Sequence, residues 1–234
     1  MILFHRKKTI SNANSLCGFT DHHSHILFGV DDGIQTLSDS LSVLERYASL
    51  GVSTVWCTPH IMEDVPNSTT ELRERFEELQ AAWQGPVRLH LAAENMLDSL
   101  FEERLEARDL LPLGEMGNHL LVETSFYNPP MDLYHLLERI KSKGFYPVMA
   151  HPERYMYMSE HDYKRLHDMS VKFQLNLPSL AGAYGSTVRS KAQWLLRHGY
   201  YSLTGSDLHR PRMVDTILSA PSSSALTTLL SSSL

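Results

Sequence analysis

Seven short β-rich runs punctuate this chain of 234 residues, and six of them lead into a histidine, aspartate or glutamate. Residues 18–22 lead to His23 and His25, 53–57 to His60, 87–93 to Glu94, 119–122 to Glu123, 146–150 to His151, and 201–204 to Asp207 and His209; the run at 171–175 leads to Asn176. Helical stripes fill much of the space between. Leu37, Leu41, Leu44, Tyr47 and Ala48 keep a helical period ahead of Gly51, and Leu72, Phe76, Leu79 and Trp83 follow a capping-box pair, Ser68 and Glu71. Leu133, Leu136, Leu137 and Ile140 lie between Pro129-Pro130 and Gly144, and Val188, Ala192, Leu195 and Leu196 between Ser186 and Gly199. Such alternation predicts an α/β fold with a mostly parallel sheet, open or closed into a barrel. In folds of that kind chemistry gathers at the carboxyl ends of the strands, where these ligand types fall.

Composition removes several alternatives. Lys plus Arg is 21 against 27 Asp plus Glu, a net charge of −6, which disfavours a general nucleic-acid or anionic-membrane binder. No apolar run approaches the roughly 18 residues that span a bilayer. The opening Met1 to Lys8 has no long apolar core, so no secretory signal is expected. With only Cys17 and Cys57 there is no disulfide framework, and a cytoplasmic protein with free thiols is expected. One domain over 18–218 is expected, between a basic lead-in (1–17) and a Ser-rich tail (219–234) that is either loosely packed or a final short helix.

The chemistry is carried by imidazoles and carboxylates. In His23-Ser24-His25 the period of two puts both rings on one side of an extended strand, within reach of one cation. Asp31-Asp32-Gly33 reads as a turn, from which a carboxylate can fold back to the same centre. His60, Glu94, Glu123 and His151 each follow a β run; taken singly, each is as readily a loop histidine or a solvated carboxylate. Asp207 and His209 repeat the spacing of two, and Arg154 adds a cation three residues after His151. Ligation without thiolate suits manganese, iron or zinc without choosing among them. Two or three such ions activate water and neutralise phosphate charge, while an arginine clamps phosphate oxygens. A cysteine-dependent phosphatase needs Arg six positions after its Cys, but those positions hold His23 and Glu63. No G-x-S-x-G elbow or phosphate-binding glycine loop occurs.

Asp21-His22-His23-Ser24-His25-Ile26-Leu27 with Asp31-Asp32-Gly33 resembles the opening motif of the PHP (polymerase and histidinol phosphatase) superfamily, and specifically the bacterial manganese-dependent protein-tyrosine phosphatases of capsule and exopolysaccharide loci. Thr58-Pro59-His60, Leu121-Val122-Glu123, Ala150-His151-Pro152-Glu153-Arg154-Tyr155, Tyr184-Gly185 and Gly205-Ser206-Asp207 with His209 agree in order and spacing, from about residue 19 to 212. The resemblance implies a distorted seven-stranded (β/α)7 TIM-like barrel with its metal site at the carboxyl ends of the strands. It further implies one ion on His23, His25, Glu94 and Asp207, a second on Glu94, Glu123 and His151, and a third on Asp32, His60 and His209. Arg154, assisted by Arg210 or Arg212, would contact the substrate phosphate, with Asp207 and His209 beside it in catalysis. The implied substrate is phosphotyrosine on a partner tyrosine autokinase controlling polysaccharide synthesis. Alternatives on the same fold are a histidinol-phosphate-type phosphatase and a non-catalytic metal-binding regulatory module. His22 departs from the pattern, standing where the family carries an apolar residue.

Overall fold

The computed structural model of the protein describes residues 8–11 and 16–231, so residues 1–7 and 12–15 of the expected lead-in lie outside the described residues. The β runs become β1 (Thr20–Ser24), β2 (Thr54–Cys57), β3 (His60–Ile61), β4 (Arg88–Leu91), β5 (Glu94–Met96), β6 (His119–Glu123), β7 (Tyr146–Ala150), β8 (Lys172–Asn176) and β9 (Tyr201–Gly205). Every ladder between them is parallel. The fold is α/β, with strand order β1-β2-β4 in one sheet and β3-β5-β6-β7-β8-β9 in the other.

Two of the expected runs are each followed by a second short strand that begins at the ligand residue. After the second, the Thr58 N–H donates the last bond of the β1–β2 ladder to the Ser24 carbonyl at 2.8 Å, and Pro59 has no N–H to continue it. In the third, Ala92 and Ala93 separate β4 from β5. Single hydrogen bonds span the breaks: Ala92 N–H donates to Cys57 O (2.9 Å) and Glu94 N–H to Pro59 O (3.1 Å). The described strands therefore form two ladders rather than one closed sheet. β1 and β9 meet through a lone parallel bridge, Ser24 with Leu208, flanked by Asp207 N–H to His23 O at 2.7 Å.

The helices are α1 (Leu37–Ser49), α2 (Thr69–Ala82), α3 (Ser99–Ala107), α4 (Leu133–Ser142), α5 (Glu160–Asp168), α6 (Leu177–Ala181), α7 (Gly185–Arg197), α8 (Met213–Ser219) and α9 (Ser224–Leu230). The capping box read at Ser68 and Glu71 opens α2, and Thr36 caps α1 by accepting from Asp39 N–H. Helices α3 and α5 lacked a sequence stripe because few of their residues are apolar and buried, Phe101 and Leu105 in one and Tyr163 and Leu166 in the other. Most strands bury both faces, as parallel strands do, while β4 leaves Arg88 and His90 exposed. Leu120, Val122 and Met149 join the large core with Leu137 and Ile140 of α4, while Leu121, Val148 and Leu203 form a smaller cluster with Ala92, Leu113 and Ala150. The tail is packed over its described residues, 219–231: α9 buries Leu226, Leu229 and Leu230, and Ile10 N–H donates to Ala220 O at 2.9 Å. No helix among the described residues is long and apolar enough to cross a membrane.

Candidate metal centre

At the carboxyl ends of the strands the ligand types converge into one buried cluster. The donor atoms of His23, His25, Glu94 and Asp207 all lie within 4.8 Å of one another. The same limit joins His25, Asp32, His60 and His209, and also His60, Glu94 and Glu123. His151 stands beside them, its Nε2 2.9 Å from Glu94 Oε1 and 3.9 Å from Glu123 Oε2. Glu94 is thus the hub, touching His23 (3.1 Å), His25 (3.2 Å) and His60 (3.1 Å) with its other oxygen.

Backbone geometry aims these side chains. The chain takes left-handed dihedrals at His151 (φ 34°) and Asp207 (φ 49°), sparsely populated conformations that the surrounding sheet imposes where it releases a ligand into the site. Two glycines let backbone approach the ring-bearing strand: a Cβ on Gly205 would stand 2.4 Å from that of His23, and one on Gly33 2.5 Å from that of His25.

The donor set suits a divalent cation. His23 Nδ1–H donates to Gln174 Oε1 (2.9 Å) and His25 Nδ1–H to Asp31 Oδ2 (2.8 Å), so each ring, once it gives up its second proton, turns an Nε2 lone pair inward, the two 3.1 Å apart. Two lone pairs so close repel unless a cation or a proton lies between them. His60 Nδ1 lies 3.1 Å from both Glu94 Oε2 and Glu123 Oε1, yet none of these three buried atoms makes a well-aligned hydrogen bond, an arrangement costly for polar atoms without a ligand. Although burial opposes it, the Glu94 and Asp207 carboxylates push the proton affinity of His23 up to about 9. Burial likewise opposes ionisation of Asp207 and Glu94, yet the imidazoles, with Arg154 beside Asp207, hold both below the ordinary carboxylate range. A field that draws protons onto imidazoles in this way also attracts a divalent ion.

Arg154 stands at the edge of the cluster and donates to Asp207 Oδ2 at 2.7 Å. Its guanidinium lies between two rings, Cζ 4.3 Å from the Phe126 centroid and 4.4 Å from that of Tyr184. His209 Nδ1–H donates to the Asp207 carbonyl (2.9 Å), turning Nε2 toward Asp32 at 3.4 Å. Asp32 is the exposed member, with 71% of its side chain accessible. Arg210 is exposed, and its Nη1 donates to the carbonyls of Asp32, Gly33 and His209. Arg212, exposed at the start of α8, lines neither cavity that adjoins Arg154.

Sequence reasoning missed the residues that hold the ligands. Asp31, whose side chain is buried, accepts from His25 Nδ1–H and from the backbone N–H groups of His60 (3.0 Å) and Gly33 (2.9 Å). The Asp-Asp-Gly turn therefore supplies one carboxylate that orients the His25 ring and another, Asp32, that faces the site. Gln174 also accepts from His151 N–H (3.2 Å), and Asn176 donates to Asp207 Oδ2 (2.9 Å). Their signal lay in the sixth run, whose polar residues alternate with Phe173 and Leu175.

A family model described as "Capsular polysaccharide synthesis, CpsB/CapC" matches residues 19–218. The chain belongs to the CpsB/CapC family. Similar proteins include the tyrosine-protein phosphatase YwqE of Bacillus subtilis (strain 168), 26% identical over 195 residues, covering 81% of this chain and 76% of that protein. The tyrosine-protein phosphatase CpsB of Streptococcus pneumoniae is 28% identical over 202 residues, covering 81% of this chain and 82% of that one. Among solved structures, one reported for YwqE of Bacillus subtilis and CpsB of Streptococcus pneumoniae, described as unique metal-dependent tyrosine phosphatases, aligns with a TM-score of 0.76. It is 27% identical, and the alignment covers 85% of this chain and 81% of that chain. The CpsB/CapC match spans every residue of the cluster described above.

Proposed function

We propose that this CpsB/CapC chain is a metal-dependent protein-tyrosine phosphatase. One observation carries the reading: a buried set of imidazoles and carboxylates with bare, inward-facing acceptors lies beside a fixed guanidinium. The names of its relatives as tyrosine-protein phosphatases support the substrate. In this reading His23, His25, Glu94 and Asp207 hold one ion, Glu94, Glu123 and His151 a second, and Asp32, His60 and His209 a third. His60 also faces Glu94 and Glu123, so it adjoins two of these positions. The ligand chemistry fits two or three ions, with manganese the expected metal and iron or zinc compatible.

When bound, such ions activate water as a nucleophile and neutralise charge on a phosphate. Arg154 supplies guanidinium N–H groups for phosphate oxygens, and Asp207 anchors it on the metal side. His209, held by the Asp207 carbonyl, keeps an imidazole nitrogen at the mouth of the site. The strand units 20–24, 54–61, 88–96, 119–123, 146–150, 172–176 and 201–205 act together as a distorted seven-stranded barrel, whose domain runs over 18–218. The biological substrate is a phosphotyrosine-bearing protein, a bacterial tyrosine autokinase of capsule or exopolysaccharide synthesis, dephosphorylated in the cytoplasm.

The test is hydrolysis of a phosphotyrosine peptide beside histidinol phosphate, in manganese with and without chelator. Chelator-sensitive release from the peptide is the expected result. A preference for histidinol phosphate would replace the substrate, and no release from either would overturn the reading.

A further inference from the structure

Two cavities, not one, open beside Arg154. The inner one, about 230 Å³, reaches past Met62, Met96 and Phe126 to Glu123 and His151. The outer one, about 400 Å³, runs between Pro178, Ala183 and Tyr184 on one side and Arg210, Met213 and Thr216 on the other. They share Asp32, Arg154, Asp207 and His209. Phe126 belongs to the inner wall and Tyr184 to the outer, so the Arg154 guanidinium stacked between these rings forms the partition. A phosphorylated side chain seated against Arg154 in the inner cavity keeps the rest of its own chain beside the outer one.

The outer cavity has a charge to offer. The two N–H groups of Arg210 Nη1 are shared among three backbone carbonyls, which holds the side chain in place. Its Nε and Nη2 have no hydrogen-bond partner among the described residues, and no carboxylate among them forms an ion pair with it. The acidic groups nearby are otherwise engaged: Asp207 with Arg154, and Asp32 with His60 and His209. Apolar contact is available from Pro178, Ala183 and Met213. A preset guanidinium edge above an apolar floor matches a carboxylate on a short aliphatic stem.

We infer that the outer cavity is a recognition subsite for a residue flanking the phosphorylated side chain, and that it takes an aspartate or glutamate. The inference rests on the phosphatase reading and deepens it. A small phosphomonoester fills only the inner cavity, whereas a peptide fills both.

The experiment uses the full manganese-loaded chain with p-nitrophenyl phosphate and three phosphotyrosine peptides that differ only in Glu, Ala or Lys beside the phosphorylated residue. At moderate salt the wild type should favour the Glu peptide over the Lys peptide by about threefold to fivefold in kcat/KM, the scale of one exposed ion pair. Added salt should shrink that preference. Arg210→Met should erase it. Ala183→Trp and Thr216→Trp, which fill the cavity without touching the metal cluster, should lower kcat/KM for peptides about tenfold while leaving p-nitrophenyl phosphate within about twofold. Unchanged melting temperatures in both tryptophan variants confirm that they fold. Equal rates on all three peptides, or peptide turnover indifferent to both tryptophans, would overturn the subsite alone. No turnover of p-nitrophenyl phosphate or of any peptide by the wild type would overturn the phosphatase reading and the subsite with it.

Discussion

His22 and His23 are neighbours on β1, both buried, and the fold treats them in opposite ways. The side chain of His22 turns away from the metal cluster, its Nδ1–H donating to the Thr204 carbonyl at 3.2 Å. Burial without a carboxylate pushes it down to about 4, so the ring is neutral near pH 7. His23 is no less buried, but Glu94 and Asp207 face it and reverse the sign. The face of β1 that bears His23 and His25 spends burial on charge; the face that bears His22 spends it on a neutral hydrogen bond. Residue type and burial are therefore poor guides to a metal ligand, and the company of carboxylates is the better one.

That contrast can be broken. The largest effect is expected from Glu94→Gln, which removes one charge from the hub shared by four imidazoles. Phosphatase kcat/KM should fall by about a thousandfold, roughly 4 kcal/mol, with loss of bound metal by elemental analysis and an unchanged far-ultraviolet dichroism spectrum. Full activity would remove Glu94 from the centre.

Gln174→Leu tests support rather than ligation. Without the amide oxygen, His23 loses the partner that fixes its ring and His151 loses an acceptor for its N–H. Manganese affinity should drop by about tenfold to a hundredfold in a competition titration, and wild-type affinity would show that the ring needs no such anchor.

Gly205→Ala challenges packing, since the added methyl would stand 2.4 Å from the His23 Cβ. A loss of about 1–3 kcal/mol in unfolding free energy is expected, measured in chelator so that metal binding does not mask it. An unaltered denaturation midpoint would mean that the strands separate freely there.

His22→Leu should affect the site least, leaving metal affinity and kcat/KM at wild-type values. Its signature lies in stability against pH. A histidine depressed to about 4 in the folded chain contributes stability above its unfolded value of 6.5 and loses it as pH falls toward 4. Wild type should weaken relative to His22→Leu across that window, and parallel stability curves would place His22 outside the buried pair drawn here.

Much of this was legible in one dimension, for identifiable reasons. The runs at 146–150 and 119–122 read well because a parallel strand buried on both faces is written almost wholly in apolar residues, and a ligand-type residue, His151 or Glu123, marks its end. The capping pair at Ser68 and Glu71 is a local device, so adjacent residues reveal it. The break at Pro59 was present in the sequence as a missing N–H, yet its consequence, a second sheet beginning at β3, depends on where Ser24 and Glu94 stand. The alternation of the sixth run marked Gln174 as inward-facing, but not which groups it supports, because His23 and His151 are more than twenty residues away.

The sequence by itself determined the strand-and-helix alternation, the inventory of imidazoles and carboxylates, and their position at strand ends. These follow from periodicity and local chemistry, which act over a few residues. The motif resemblance pointed to Asp32 as the ligand, but only the tertiary structure decided that its neighbour Asp31 steadies the His25 ring. It alone decided that Arg154 is held between Phe126 and Tyr184, while Arg210 lines a separate cavity. Those outcomes depend on distances across the sheet and on charges brought together from remote segments, and both come into being only when the strands pair.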